Sequence, residues 1–376
     1  MTSLCPNPDI CGSCSWSHIP YQKQLLQKLS DINGSFKIKN VDLICETILP
    51  SPVTEHYRNR MDFVIDFEGR VGMREKGKWW KVIDEHTCFL ADKKIEDLFH
   101  VVRAWVKSSG LSYYDRKSHS GLLRYAVIRS TTLGETMINI ITSVPEDEKE
   151  SSSLRESLTR LAKEPTATTL IWSQNSTITD ISFGDIVQTI SGPGFIQERI
   201  ESFVYRISPN AFFQTNPHGA KILLETVTAF CGDIHQKTLL DLYCGSGFFS
   251  IALAQKTQTC IGVEMSKEAI VDARINSEIN QRTIQYHDAK MEEFDWKDVG
   301  ADVVILDPPR SGMHDKVLED ILHVKPKHIV YISCNYKNFA REMVQLQQYY
   351  KVEAMRAIDL FPHTPHVELV TSLILK

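Results

Sequence analysis

The chain has 376 residues, 42% hydrophobic and 24% charged, with a net charge of −5. These values exclude disordered, collagen-like and coiled-coil classes, and the length predicts two domains, or one large domain with an appendage. No apolar run approaches the roughly 18 residues of a membrane-spanning helix, and Met1 to Cys14 lacks the basic and apolar regions of a signal peptide, so a cytoplasmic location is expected.

The first 17 residues are rich in Cys and Pro and include Trp16. Residues 18–30 follow as a helix, with Leu25, Leu26 and Leu29 at helical spacing. From Asn40 to Ser143 the chain is mixed. MDFVIDF (61–67) and ETMINIITSV (135–144) read as strands, and 97–110 reads as a helix closed by Gly110. Residues 146–164 form a Ser-rich entry into a surface helix, and SGPGF (191–195) punctuates further short strands. This is an α+β body with many turns. Residues 56–130 hold 15 Lys or Arg against 10 Asp or Glu, so the rest of the chain carries −10. Such a stretch is an ordinary solvated face unless another feature requires a polyanion.

After Ser208 the texture changes. A helix is expected over 217–230, with Asn216 as N-cap and Pro217 at the first helical position. Strands are then expected at 238–243, 259–264, 283–288, 301–307 and 328–333. Helices alternate with them at 248–255, 266–280, 315–323 and 337–347, and two strands, 351–358 and 366–375, close the chain. Repeated βα units with apolar strands predict a doubly wound, mostly parallel sheet with helices on both faces. Ligands of such sheets sit at the carboxyl ends of the strands.

The first of these strands ends in DLYCGSGFFS (241–250). Gly245 and Gly247 permit a tight turn and close backbone approach to a ligand. Glu264 ends the next strand 19 residues after Gly245, the spacing of a carboxylate that binds ribose hydroxyls. Ser250 stands where the dinucleotide pattern has its third Gly, which disfavours a dehydrogenase. Cys334 follows a strand and precedes a helix, so the helix dipole is expected to favour its thiolate. Asp307 opens DPPRSG at the end of another strand. His366 and Glu368 are two apart and expected on one strand face. A thiolate adding to C6 of a uracil makes C5 nucleophilic, and a carboxylate suits the later removal of the C5 proton. His366 is the rival base.

Nine cysteines, an odd number, argue against a disulfide framework in a chain without an export signal. Cys5, Cys11 and Cys14 form C-x5-C-x2-C, the thiol density of a zinc or iron–sulfur site, and either needs a fourth ligand. Cys88 is the candidate and Cys45 the alternative. Cys231, Cys244 and Cys260 read as packing residues.

The segments ISPNAFFQTN (207–216), DLYCGSGFFS, LDPPRSG, YISCN and DLFPHTPHVE (359–368), taken in order, resemble the motifs of the RNA uracil-C5 methyltransferase family. The likeness continues upstream in YRNRMDF (57–63), VGMREKGKWW (71–80) and LRYAVIR (123–129). It implies a class I methyltransferase sheet with an antiparallel C-terminal strand, joined to an N-terminal α+β domain carrying a Cys-ligated cluster. It implies S-adenosylmethionine as cofactor, its methionyl carboxylate facing the helix N-terminus, with Gln214, Tyr243, Gly245, Gly247, Glu264, Asp288 and Asp307 at cofactor- or uracil-contacting positions. Cys334 is then the C6 nucleophile and Glu368 the C5 proton acceptor. Phe248 occupies a slot where some relatives carry Asn. Arg310 follows DPP where adenine-N6 methyltransferases carry an aromatic residue, which disfavours that class.

The Cys spacing, with CFL (88–90), resembles the family's [4Fe–4S] motif, implying Cys5, Cys11, Cys14 and Cys88 as structural ligands. The expected division is 1–35 for the Cys-rich motif and its helix, 36–205 for an RNA-binding domain, and 206–376 for the methyltransferase domain. With the Cys motif at its start, an architecture without a TRAM barrel is expected, and this resembles the branch that modifies 23S ribosomal RNA. That RNA is the favoured partner, with transfer RNA as the alternative and a monomer expected. Tyr57, Trp79 and Trp80, interleaved in the basic stretch, suit stacking on bases, although aromatic residues in such a domain are more often core. The competing reading is a non-catalytic RNA-binding or RNA-folding protein; Cys334 and Glu368 argue against it.

Overall fold

The computed structural model describes residues 5, 7, 8, 10–84, 86, 88–164 and 167–376. In chain order the first elements are α1 (Tyr21–Ile38), β1 (Ile48–Leu49), β2 (Arg60–Ile65), β3 (Val71–Glu75), β4 (Lys78–Asp84) and α2 (Lys93–Ser108). Next come β5 (Leu123–Ser130), β6 (Thr136–Ser143), α3 (Glu148–Leu161), β7 (Thr169–Asn175), β8 (Ile186–Ser191), β9 (Ile196–Ile200) and β10 (Phe203–Ile207). The remainder is α4 (Pro217–Cys231), β11 (Thr238–Leu242), α5 (Phe248–Ala254), β12 (Thr259–Glu264), α6 (Lys267–Ile279), β13 (Gln285–Asp288), β14 (Val303–Leu306), α7 (Asp315–Val324), β15 (His328–Ser333), α8 (Tyr336–Leu346), β16 (Tyr350–Ile358) and β17 (Glu368–Leu375). None of the described helices is long and apolar enough to cross a membrane.

The chain divides into two compact units. One comprises residues 1–18, 53–199 and 206–210; the other comprises 19–52, 200–205 and 211–376. This departs from the boundaries read at 35/36 and 205/206. Helix α1, expected with the Cys-rich motif, belongs to the second unit. So does β1, expected in the central domain.

The first unit is built on a sheet of order β4-β3-β2-β5-β6-β7-β8 among the described residues. Neighbours are antiparallel except β6 and β7, which are parallel. Helix α2 buries Ile95, Phe99, Val102 and Val106, and α3 buries Leu154 and Leu158, in a core shared with Phe63, Ala126, Ile128, Ile138 and Trp172. Trp105 of α2 donates its indole N–H to the carbonyl and hydroxyl of Ser157 on α3, both at 3.1 Å. Asp92 caps α2, accepting from the Lys94 N–H at 2.9 Å. The helix therefore starts four residues before the expected Asp97, because its first turn is charged rather than apolar.

The second unit contains a sheet of order β1-β16-β17-β15-β14-β11-β12-β13 among the described residues. Strands β11 to β15 run parallel, and β17 runs antiparallel between β15 and β16. This is the expected architecture, and β12 and β15 coincide with their expected spans. The apolar side chains of β11, β14 and β15 are buried because helices cover both faces of a parallel sheet. The strand order reverses between β11 and β14, which makes the carboxyl ends of these two strands the switch point. Helix α4 begins as its cap predicts: Asn216 Oδ1 accepts from the Gly219 N–H at 2.9 Å, with Pro217 in the first turn.

Candidate active site

At the switch point β11 turns through residues 243–247 into α5. Tyr243, Gly245 and Gly247 all have positive φ, at 68°, 54° and 85°. That conformation costs a residue bearing a β-carbon about 1–2 kcal/mol. Tyr243 therefore holds strain at the sheet's ligand edge, a common signature of binding loops. A β-carbon on Gly247 would stand 2.6 Å from the Tyr286 hydroxyl, so this position requires glycine.

The Gly245 N–H donates to Glu264 Oε2 at 3.2 Å, and the Ser266 N–H donates to Oε1 at 2.8 Å. Glu264 thus holds the loop as well as ending β12. Asp288, its register partner, ends β13 and is exposed. Asp241 is fully buried and accepts from the backbone N–H of Ser250 at 3.0 Å and from its hydroxyl. Ser250, read from the sequence only as a missing glycine, is the partner of this acid. Burial pushes the Asp241 carboxyl up to about 7, and its Oδ1 has no protein partner among the described residues. Gln214 is half-buried two residues before the cap of α4. Phe248 packs among Tyr205, Phe213 and Phe249, with ring centroids 5.0–5.9 Å away, so its slot is part of an aromatic core.

Cys334 follows the last residue of β15. The β15–β17 register pairs Ser333 with Leu369, and one step further sets Cys334 opposite Glu368. Asp307 follows β14, the neighbouring strand. Glu368 is buried, and burial pushes its carboxyl up to about 7. Asp307 is raised well above the usual carboxylate range, by burial first and then by Glu368 and Asp241. The Cys334 thiol is pushed up to about 12, by burial first and then by the Glu368 and Asp307 carboxyls, with Arg310 opposing. Desolvation and the two neighbouring acids thus oppose the thiolate that the helix dipole was expected to favour. His366 is also misplaced by the sequence reading. Strand β17 starts at Glu368, so His366 lies in the preceding loop, with Nδ1 3.3 Å from an Arg310 guanidinium nitrogen. Sequence reading saw Arg310 only as an argument against another class. Its backbone oxygen also accepts from Asn335 at 3.1 Å and Asn338 at 2.8 Å.

The loop leading into Glu368, residues 359–367, is held by side chains the sequence reading passed over. Lys28 Nζ on α1 donates to Asp359 Oδ1 at 2.6 Å and to the Phe361 carbonyl at 3.1 Å; both charged side chains are fully buried. One turn earlier, Gln24 Oε1 accepts from the His363 N–H at 2.7 Å. Asn216 Nδ2 donates to the Leu360 carbonyl at 2.9 Å. The signal available in the sequence was Gln24 and Lys28 at i,i+4, beside Leu25 on a helix face that must be buried.

In the first unit Cys5, Cys11, Cys14 and Cys88 line one small cavity, and none of the four is in a disulfide. Backbone N–H groups of Asn7 and Ser13 donate to the sulfurs of Cys5 and Cys11, each at 3.4 Å. Burial raises Cys11, Cys14 and Cys88, and neighbouring thiols add to the shift of each. Four sulfurs around one cavity, two of them receiving N–H donors, suit a thiolate-ligated group. Among the described residues no group of three or more His, Cys, Asp or Glu side chains stands close enough to hold a single metal ion. Cys45 is buried in the second unit, where its thiol donates to the Thr47 carbonyl at 3.5 Å. Cys231, Cys244 and Cys260 are buried packing residues, as expected.

Residues 20–376 match the family model described as tRNA (uracil-5-)-methyltransferase. The chain is 36% identical over 368 residues to the tRNA (uracil(54)-C(5))-methyltransferase of Pyrococcus horikoshii, covering 97% of this chain and 84% of that one. It is 33% identical over 385 residues to an uncharacterised RNA methyltransferase of Caldanaerobacter subterraneus, covering 98% and 84%. Among solved structures, the Pyrococcus abyssi tRNA (uracil-54, C5)-methyltransferase in complex with S-adenosyl-L-homocysteine superposes with a TM-score of 0.82. The pair share 32% identity, over 98% of this chain and 86% of that one.

Proposed function

The chain belongs to the tRNA (uracil-5-)-methyltransferase family, and from that footing we propose that it transfers a methyl group from S-adenosylmethionine to C5 of a uridine in transfer RNA. The observation that carries the reading is the convergence of Cys334, Glu368 and Asp307 at the ends of β15, β17 and β14, close enough for both acids to act on the thiol. Glu264 and Asp288, at the carboxyl ends of the adjacent strands β12 and β13, offer acceptors for a cationic, hydroxyl-bearing nucleoside. Bound S-adenosylmethionine supplies a methyl group on a sulfonium.

The residues then divide the work. Cys334, once deprotonated, forms a bond from sulfur to uracil C6, and the C5=C6 electron pair moves toward the C4 oxygen. Asp307, whose carboxyl desolvation and the neighbouring acids raise, donates a hydrogen bond, when protonated, to the oxygen that gains this charge. The C5 electron pair forms a bond to the methyl carbon as the sulfonium S–CH3 bond breaks, and that pair stays on sulfur, leaving a neutral thioether. Glu368, as carboxylate, removes the C5 proton; the electron pair restores C5=C6 and expels the Cys334 thiolate. A base inside a duplex or folded stem must first be extruded to reach such a site.

Cys5, Cys11, Cys14 and Cys88 would hold a [4Fe–4S] cluster, which when bound would tie the N-terminal segment to the connection between β4 and α2 that carries Cys88. Transfer RNA is preferred over the 23S ribosomal RNA expected at first, because several relatives that match nearly the whole chain are named for uracil 54 of tRNA. The test is to incubate the protein with S-adenosylmethionine and unmodified transfer or ribosomal RNA, then map 5-methyluridine by mass spectrometry. Product in tRNA is expected. Product confined to ribosomal RNA restores the first choice of substrate, and no product in either supports an RNA-binding protein.

A further inference from the structure

Trp79 and Trp80 are consecutive residues of β4, an edge strand, so a regular pleat would send them to opposite faces. The β3–β4 register prevents this. It runs Gly72↔Asp84, Met73↔Ile83, Arg74↔Val82 and then jumps to Glu75↔Lys78, leaving Trp79, Trp80 and Lys81 bulged out of the ladder. Bulges of this kind re-aim side chains. Both indoles are 46% exposed, Phe67 beside them is 47% exposed, and the two tryptophan rings meet edge to face with centroids 5.7 Å apart. Together with Tyr114 and the exposed Lys117 they line a cavity of ≈ 240 Å³. That is below the roughly 300–1,000 Å³ of pockets for whole small-molecule ligands. Residues 74–81 carry four basic side chains and one acid. The Cys-rich segment braces this hairpin: the Gly12 N–H donates to the Arg74 carbonyl at 3.1 Å, and the Lys76 N–H to the Ile10 carbonyl at 2.7 Å.

We propose that this bulge is a stacking site for one unpaired base of the RNA, a nucleotide other than the methylated uridine, with Lys117 serving its phosphate. The inference rests on the RNA reading above. Aromatic faces accept any base, and the exposed Lys117 at the rim, which also carries Asp66 and Asp115, favours its backbone. An aliphatic groove would offer neither. The bulge adds affinity for RNA rather than chemistry, so its removal acts on binding.

The test measures the dissociation constant of the full chain for a tRNA transcript and for oligouridylate. Trp79→Ala and Trp80→Ala should each weaken tRNA binding by about 5- to 150-fold, the range for loss of one base stack. Phe at either position should restore most of the affinity, and Leu should not, because Leu keeps apolar area without a π-face. Lys117→Ala should lower the slope of log affinity against log salt by about one. Oligouridylate should quench tryptophan emission in the parent protein, and the quench should shrink in both Trp→Ala variants. Unchanged tRNA affinity in the Ala variants, or equal affinity with Leu and Phe, overturns the proposal. A change in self-association without a change in RNA affinity also overturns it and makes the face a protein contact. Should the parent protein bind RNA yet form no 5-methyluridine, the enzymatic reading fails while these binding outcomes still decide the site.

Discussion

Glu368 illustrates how burial brings an ordinary carboxyl into the range required of the base proposed above. With its carboxyl raised to about 7, the carboxylate needed at C5 is populated only as the pH passes that value. Turnover should therefore rise with pH along a limb centred near 7, measured with saturating RNA and S-adenosylmethionine. A limb at the ordinary carboxylate range would remove Glu368 from the role. In Glu368→Gln the methyl group should still transfer, but the Cys334–RNA adduct should persist through denaturing electrophoresis. Adduct from His366→Gln instead would transfer the role to His366. The same burial has a cost in stability. A folded pKa raised from 4.5 to about 7 favours the folded state fully below 4.5, and that advantage is lost as pH rises through 7. Glu368→Gln should thus be more stable than the parent above pH 7, by up to about 3 kcal/mol in urea denaturation, with the gap closing near pH 4. Asp307→Asn, which keeps a donor, should retain more activity than Asp307→Ala, whose loss should be about 10²–10³-fold in kcat.

Among the elements, α1 departs furthest from its sequence reading. Its apolar spacing was visible in Leu25 and Leu29, but its burial of Lys28 against Asp359 was not. Desolvation lowers the Lys28 pKa while Asp359 opposes the shift. A buried pair of this kind need not stabilise the fold, yet removing one partner leaves a bare charge in the interior. Lys28→Met should cost about 3–5 kcal/mol by denaturant titration. The double variant Lys28→Met/Asp359→Leu should recover most of the loss. Failure of the double variant to recover would mean that the hydrogen bond to the Phe361 carbonyl, rather than the charge pair, holds the loop.

For the whole molecule, the net charge of −5 hides a basic stretch in the first unit. Affinity for RNA should fall steeply between about 50 and 200 mM salt, whereas affinity for S-adenosylhomocysteine should change little. Equal salt dependence of the two ligands would argue against a phosphate-contacting surface. Purified without oxygen, the protein should contain about four irons per chain. Cys14→Ser or Cys88→Ser should lower iron content and melting temperature. Stoichiometric zinc without iron would reassign the thiol site.

Much of the second unit could be read from sequence because its βα units are local: each strand is a short apolar run followed by a helix, and β12 and β15 were bounded by their own residues. The motif residues were legible for the same reason, since DLYCGSG, DPPR and ISCN each sit in one turn. Side-chain opposition was not legible. The approach of Cys334 to Glu368 depends on the register of an antiparallel strand inserted between β15 and β16, and the raised thiol depends first on burial and then on two acids brought in from other strands. The position of α1 depends on which long-range partner its buried polar pair finds, and helical periodicity contains no information about that partner. The exposure of Trp79 and Trp80 likewise depends on a register jump against β3. Sequence alone determined the chemistry within each turn; tertiary structure alone decided which turns face one another, because register and desolvation are properties of the packed chain.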